Sequence, residues 1–202
     1  MNNKYNNLLL KKYEIVFKEI DFLIASKDKV LVAIDGHSGA GKSTLSEVLG
    51  GQYDCNIFHM DHFFLRPVQR TKKRLEETGG NIDYERFKQE VIYGLKSGQE
   101  FNYQIYNCQT QEFDKDIRVF PRKLNIIEGA YSMHPSLIDN YDLKVFLSIS
   151  AEEQRARILK RNGETMVQKF ENLWIPLENA YFEEFEIRKK SDIVIDVSDK
   201  GK

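Results

Sequence analysis

Val30-Leu31-Val32-Ala33-Ile34-Asp35-Gly36-His37-Ser38-Gly39-Ala40-Gly41-Lys42-Ser43-Thr44 is the stretch on which the reading of the whole chain turns. Its first five residues form a continuous apolar run stopped by Asp35-Gly36, the form of a strand buried on both faces. Gly36 to Ser43 fits G-x-x-x-x-G-K-S/T, the phosphate-loop pattern. It also stands where that pattern works, after a buried strand and before a helix that carries Leu45, Val48 and Leu49 on one side and ends at Gly50-Gly51. Glycines let the backbone close around an anion with several N–H groups turned inward. The helix N-terminus adds a favourable dipole, Lys42 adds a full charge near the outer phosphates, and the Ser43 hydroxyl is placed to ligate Mg2+. Gly36, His37, Ser38, Gly39, Ala40, Gly41, Lys42, Ser43 and Thr44 are therefore the expected nucleotide-binding residues. A chance glycine turn before a helix is the competing reading.

Outward from this stretch, similar apolar runs recur at Cys55-Asn56-Ile57-Phe58, Leu124-Asn125-Ile126-Ile127, Leu143-Lys144-Val145-Phe146-Leu147 and Ile193-Val194-Ile195. Helical patterns separate several of them, as parallel strands joined by crossover helices require. Tyr5 to Ser26 sets Leu9, Tyr13, Val16, Ile20, Leu23 and Ile24 at helical spacing, an amphipathic helix packed outside the sheet. Ser150 with Glu153 forms a capping-box signature for a helix over 151–161, and Asn162-Gly163 can end it. Two more helices are expected over 164–174 and 177–189, with Pro176 between them. Phe101 to Tyr106 alternates, Asn107 to Gln111 is polar, and a weaker extended stretch reaches Val119, which together read as an antiparallel hairpin. The expected fold is α/β, a three-layer α/β/α arrangement of the P-loop NTPase type around a parallel sheet of about five strands. A small β-hairpin at 101–119 and a helical lid at 151–175 complete a single kinase-sized domain over 1–202.

Thirty Lys and Arg against 31 Asp and Glu give a net charge of −1, without the basic excess of a protein that coats nucleic acid. No apolar stretch approaches the ~18 to 20 residues of a membrane span. The N-terminus lacks the apolar core and cleavage site of a secretory signal, and Cys55 and Cys108 lie far apart with no paired spacing. These features point to a cytoplasmic chain with no membrane or nucleic-acid partner and no structural metal. Homo-oligomerisation is left open. The D-x-x-G and N-K-x-D motifs of a GTPase are absent, and a large ATP-driven motor needs more chain. A small-molecule kinase fits the length.

Such a kinase needs an acceptor side. Asp61, in Phe58-His59-Met60-Asp61-His62-Phe63-Phe64, follows the second strand, at the carboxyl edge of the sheet where ligands gather. A carboxylate there can accept the proton of an alcohol attacking the γ-phosphorus; it would repel a phosphate acceptor and so favours an uncharged hydroxyl over a nucleoside monophosphate. A turn cap is the plainer reading. Glu128 closes an apolar strand and is expected to share Mg2+ with Ser43, with Asp61 as a third oxygen source; a strand-end salt bridge is the alternative. Arg157 and Arg161 share a helix face and suit migrating phosphoryl charge on a closing lid, although arginines on a solvated helix are common. Asp61, Lys42 and Arg157 are the expected catalytic residues, and Arg161 an expected nucleotide contact. Arg66 to Arg74 holds five cations in nine residues, read first as a solvated helix start and second as a site for an acceptor's phosphate.

Taken together, Gly36 to Thr44, Met60-Asp61-His62-Phe63-Phe64, Ile127-Glu128-Gly129, the Arg157 helix and Tyr181-Phe182-Glu183-Glu184-Phe185 resemble the uridine kinase family of P-loop nucleoside kinases. The resemblance runs from roughly Val30 to Val197. It implies transfer of the γ-phosphate of ATP or GTP, with Mg2+, to the 5′-hydroxyl of uridine or cytidine. It implies Asp61 as general base, Asp83 as the carboxylate that holds the ribose hydroxyls, and Tyr106 as a pyrimidine contact. A helix N-cap and a core aromatic are the competing readings of Asp83 and Tyr106. Where animal members carry a base-reading histidine, this chain has Asn107-Cys108-Gln109-Thr110-Gln111, of which Gln111 can hydrogen-bond a pyrimidine edge. Where bacterial relatives often have a second acid after the base, it has His62. A kinase of nicotinamide riboside, pantothenate or a sugar phosphate, and a nucleotide-binding regulator without kinase activity, are the alternatives.

Overall fold

In the computed structural model, which describes residues 7–198, the run before the phosphate loop is β1 (Val30–Gly36), buried along its whole length. Ahead of it lie α1 (Asn7–Lys12) and α2 (Glu14–Ser26). After it come α3 (Lys42–Gln52), β2 (Cys55–His59), α4 (Lys72–Glu76), α5 (Tyr84–Phe87) and α6 (Tyr93–Ser97). The chain continues through β3 (Phe101–Asn107), β4 (Glu112–Val119), β5 (Leu124–Glu128) and β6 (Leu143–Ser148). It closes with α7 (Ala151–Asn162), α8 (Glu164–Lys169), α9 (Ile175–Glu184), α10 (Ile187–Lys190) and β7 (Ile193–Asp196).

Five parallel strands form the main sheet in the order β2-β5-β1-β6-β7, with Val30 opposite Leu124 and Val32 opposite Leu143. Side chains alternate across β1, so each face feeds its own core. Leu31 and Ala33 join Phe58, Phe146 and Tyr181 on one side. Val30, Val32 and Ile34 join Leu45 and Leu49 of α3 and Val16, Ile20 and Leu23 of α2 on the other. A strand covered on both faces needs no polar alternation, which is why β1 reads as an unbroken apolar run. The three-layer α/β/α arrangement is the one expected. β3 and β4 pair antiparallel apart from this sheet, with a register shift between Ile105 and Tyr106. No helix among the described residues is long and apolar enough to cross a membrane.

Several boundaries differ from expectation. The leading helix is broken at Tyr13 into α1 and α2, and residues 5 and 6 of the expected span lie outside the described residues. α3 continues through Gly50-Gly51 to Gln52. A Cβ on Gly50 would stand 2.9 Å from Ile57 Cδ1, so the glycine lets the helix lie close on β2. Pro176 does not separate two helices: α8 passes through a π-helical turn at Phe170–Trp174 directly into α9, where the proline occupies the first turn. The widened turn accommodates a residue that has no N–H to donate. The break falls instead at Glu186, whose φ of 52° is left-handed, before α10.

Candidate active site

Because β5 lies between β2 and β1, three carboxyl ends converge at one edge of the sheet. The phosphate loop leaves β1, Asp61 sits in the 3-10 turn Met60–Phe63 after β2, and Glu128 ends β5. Between them opens a cavity of about 520 Å3. On the loop side it is lined by Ser38, Gly39, Gly41, Lys42, Ser43 and Thr44. Asp61, Glu128, Arg157 and Arg161 reach the same cavity.

The loop is shaped by close approach. Gly36 has φ 135°, and a Cβ there would stand 2.1 Å from the Leu147 carbonyl oxygen. Asp35, fully buried beneath it, accepts from the N–H of Gly36 (2.7 Å), the N–H of Met133 (2.9 Å) and the Tyr181 hydroxyl (2.8 Å). Burial pushes its pKa up to about 6 despite those hydrogen bonds. Lys42 Nζ bends back to donate to the carbonyls of Gly36 (2.6 Å) and His37 (3.1 Å). Gly36, His37 and Ala40 lie behind the cavity lining. The His37 ring packs edge-on between Phe146 and Phe182, and burial followed by the Lys42 charge lowers its pKa.

Elements after β6 brace this loop. Glu178 of α9, itself buried, accepts from the Ser38 N–H at 3.0 Å and from the Ser38 hydroxyl. Gln154 Nε2 donates to the Ser38 carbonyl at 2.9 Å. Arg157 donates to the carbonyls of Gly39 (3.3 Å) and Val197 (3.2 Å) and pairs with Glu153. Arg161 lines the cavity, its Nε bonded to Asn162 Oδ1 at 2.7 Å, whereas Arg155 turns away to Glu164 and Glu171.

Ser43 Oγ lies 3.3 and 3.4 Å from the two oxygens of Glu128, a carboxylate only 5% exposed. These hard oxygens suit Mg2+, which takes one or two carboxylates together with substrate phosphates and water. His59 Nδ1 stands 2.5 Å from Glu128 Oε1, and that hydrogen bond raises the histidine's pKa. No cluster of three or more His, Cys, Asp or Glu able to hold a metal occurs among the described residues; Asp61 lines the same cavity as Ser43 and Glu128. Asp61 touches solvent in the open cleft, yet the walls crowd it. Its pKa is raised first by desolvation and then by the Glu128 charge, while Lys42, His59 and Arg161 pull it down.

Besides Gly36, His37 and Ala40, three residues singled out from the sequence are not brought to the cavity lining. Asp83 caps α5, accepting from the Arg86 N–H at 3.0 Å, and its other oxygen accepts from Gln69 Nε2 at 2.7 Å. Tyr106 is buried on the edge of Phe113 with no partner for its hydroxyl, and Gln111 is exposed in the hairpin turn with φ 60°. The geometry follows the N-cap and core-aromatic readings of Asp83 and Tyr106. His62 packs on Tyr103, and burial holds its pKa down at about 4. Of the basic run, Arg74 pairs with Glu77 and Glu85, and Arg70 Nε donates to the Leu65 carbonyl. Unforeseen in the lining are Phe64, Asn81, Tyr131, Met166, Phe170 and Trp174, together with Glu178. Only the four-residue spacing of Met166, Phe170, Trp174 and Glu178 could have signalled any of them.

A parallel sheet with a glycine-rich loop, lysine and serine at the start of its first crossover helix, and carboxylates on the adjoining strand ends, is the architecture of a P-loop nucleotide-binding domain. Residues 31–172 match the phosphoribulokinase/uridine kinase family, and the chain belongs to it. It is 31% identical over 132 residues, 61% of its length, to a phosphoribulokinase of Synechocystis sp.. It spans only 39% of that relative. Among solved structures it resembles a protein described as a possible uridine kinase from Bacillus stearothermophilus (TM-score 0.70, 22% identity, 93% of this chain and 99% of the other). It also resembles one described as a fructose transport system kinase from Silicibacter sp. TM1040 (TM-score 0.66, 21% identity, 91% and 98%). At those identities the two structures establish the fold.

Proposed function

We propose that the chain transfers the γ-phosphate of ATP to an uncharged hydroxyl of a ribonucleoside, the 5′-hydroxyl of uridine or cytidine being the leading acceptor. The observation that carries this reading is Asp61: a carboxylate with a raised pKa, open to solvent in the cavity that the phosphate loop lines. In the proposed reaction the acceptor oxygen attacks the γ-phosphorus and its proton passes to Asp61. The bond from the γ-phosphorus to the bridging oxygen breaks, and ADP leaves. Lys42 and the inward N–H groups of the loop hold the triphosphate, and Arg157 and Arg161 meet charge on the migrating phosphoryl group. Ser43 and Glu128 would hold Mg2+, which when bound neutralises charge on the phosphate oxygens. GTP is an alternative donor, since no residue of the lining is assigned to the purine.

Asp83, Tyr106 and Gln111 have no part in this proposal. A second reading, a phosphorylated sugar as acceptor, draws on the similarity to a phosphoribulokinase and on Arg70. Arg70 belongs to the basic run 66–74 read above as a site for an acceptor's phosphate, and its Nε donates to the Leu65 carbonyl. Replacement of Asp61 by Asn tests the shared chemistry. Turnover should fall by about 10² to 10⁴-fold with ATP binding retained, and a near-normal rate would remove Asp61 as the base.

A further inference from the structure

One helical stripe walls the cavity beyond the phosphate loop. Met166, Phe170, Trp174 and Glu178 all line it, each four residues after the last. In a regular α-helix a four-residue step drifts by about 40°, so three steps would carry the last side chain about 120° round the axis. The π-turn, in which the Ile175 N–H reaches back to the Phe170 carbonyl, holds more residues per turn, so the middle four-residue step falls short of a full turn and takes back part of that drift. The four side chains stay on one face. The stripe therefore starts at Glu178 against Ser38 and runs outward through Trp174, Phe170 and Met166.

Its outer part is aromatic. Phe170 and Trp174 are half-buried, their rings edge to face with centroids 4.6 Å apart. Phe64, Asn81 and Tyr131 line the cavity from other elements. Every cation of the lining belongs to the loop helix or to α7: Lys42, Arg157 and Arg161. A neutral planar ring gains by stacking on such a wall. The Lys169 ammonium lies 5.3 Å from the Trp174 ring centroid but is not part of the cavity lining, so an acceptor's phosphate would lose its water there with no lining cation on the stripe to replace it.

Building on the nucleoside reading above, we infer that the Phe170–Trp174 π-turn is the platform for the acceptor's planar base. The amide of Asn81, hydrogen-bonded to Tyr131, is a polar group of the lining that can meet the base edge. Acceptor specificity is set on this turn and not on the 101–119 hairpin.

Trp174 is the only tryptophan of the chain, so its emission reports on the platform directly. With the full chain and Mg-ADP present, uridine or cytidine should quench that emission saturably, and ribose 5-phosphate at equal concentration should not. Trp174→Ala should raise the nucleoside KM about ten-fold with kcat within about three-fold of wild type, and Trp174→Phe should bring KM back to within about three-fold. If the alanine variant fails to fold, the phenylalanine variant and the wild-type titration still decide. Uridine phosphorylated with unchanged emission, or with KM indifferent to Trp174→Ala, overturns the platform and leaves the nucleoside reading standing. Phosphorylation of sugar phosphates alone, with nucleosides inert, overturns the nucleoside reading itself and the platform with it.

Discussion

Asp35→Asn isolates the buried acid under the phosphate loop. Its carboxyl ionises at about 6 in the folded chain against an ordinary 3.8, a difference worth roughly 3 kcal/mol. An acid that is harder to ionise when folded costs the fold nothing below pH 3.8, where both states hold the proton. Its stabilising contribution is lost as pH rises through the folded value of about 6 and is gone above it. Asparagine abolishes that titration but leaves a mismatch. With its oxygen towards Met133 N–H and the Tyr181 hydroxyl, its NH2 faces the Gly36 N–H, donor against donor, at a cost of about 1–3 kcal/mol. The variant should therefore be less stable than wild type by about 1–3 kcal/mol near pH 4 and roughly level with it at pH 7. Urea unfolding of both proteins at half-unit intervals from pH 4 to 7.5 measures the difference. A constant gap across that range would refute the reasoning, since it would mean that Asp35 does not titrate there.

Three further outcomes follow from contacts around the loop. Gly36→Ala drives a Cβ to 2.1 Å from the Leu147 carbonyl at a left-handed φ, and should cost about 3 kcal/mol or more with loss of nucleotide binding; a normal thermal melt would contradict it. Glu178→Gln keeps an oxygen for the Ser38 N–H and removes a negative charge beside the phosphate site. ATP should bind about three- to ten-fold tighter at low salt, with the gain shrinking as salt rises, and equal affinity at low salt would count against it. Arg157→Lys cannot span the carbonyls of Gly39 and Val197 with one planar group, and kcat should fall about ten- to a hundred-fold in steady-state assays; an unchanged kcat would remove Arg157 from the reaction.

What could be read along the chain was what short-range chemistry dictates. The glycines, lysine and serine of the loop act within nine residues, and the apolar runs of β1, β5 and β6 report burial that each strand experiences along its own length. The insertion of β5 between β2 and β1 depends on pairing between distant segments and leaves no local mark, although the acid closing the β5 run was legible as a partner for Ser43. Glu178 was illegible for the same reason, since its partner Ser38 lies 140 residues away. Asp83 shows the opposite hazard. A carboxylate that resembles a ligand-binding residue also has the chemistry of an N-cap, and here its Oδ1 accepts from the Arg86 N–H at the start of α5. Pro176 misled because a proline reads as a stop, whereas a π-turn just before it lets the helix carry on with its aromatic stripe turned to the cavity.

ADP release by the full chain with Mg-ATP, measured across uridine, cytidine, ribose 5-phosphate and no acceptor, with 31P NMR of the products, bears most directly on the account. It should show release above background with the two nucleosides, matched one for one by a phosphate monoester on the 5′-hydroxyl. Release at the same background rate in every tube, with inorganic phosphate as the sole product, would contradict it.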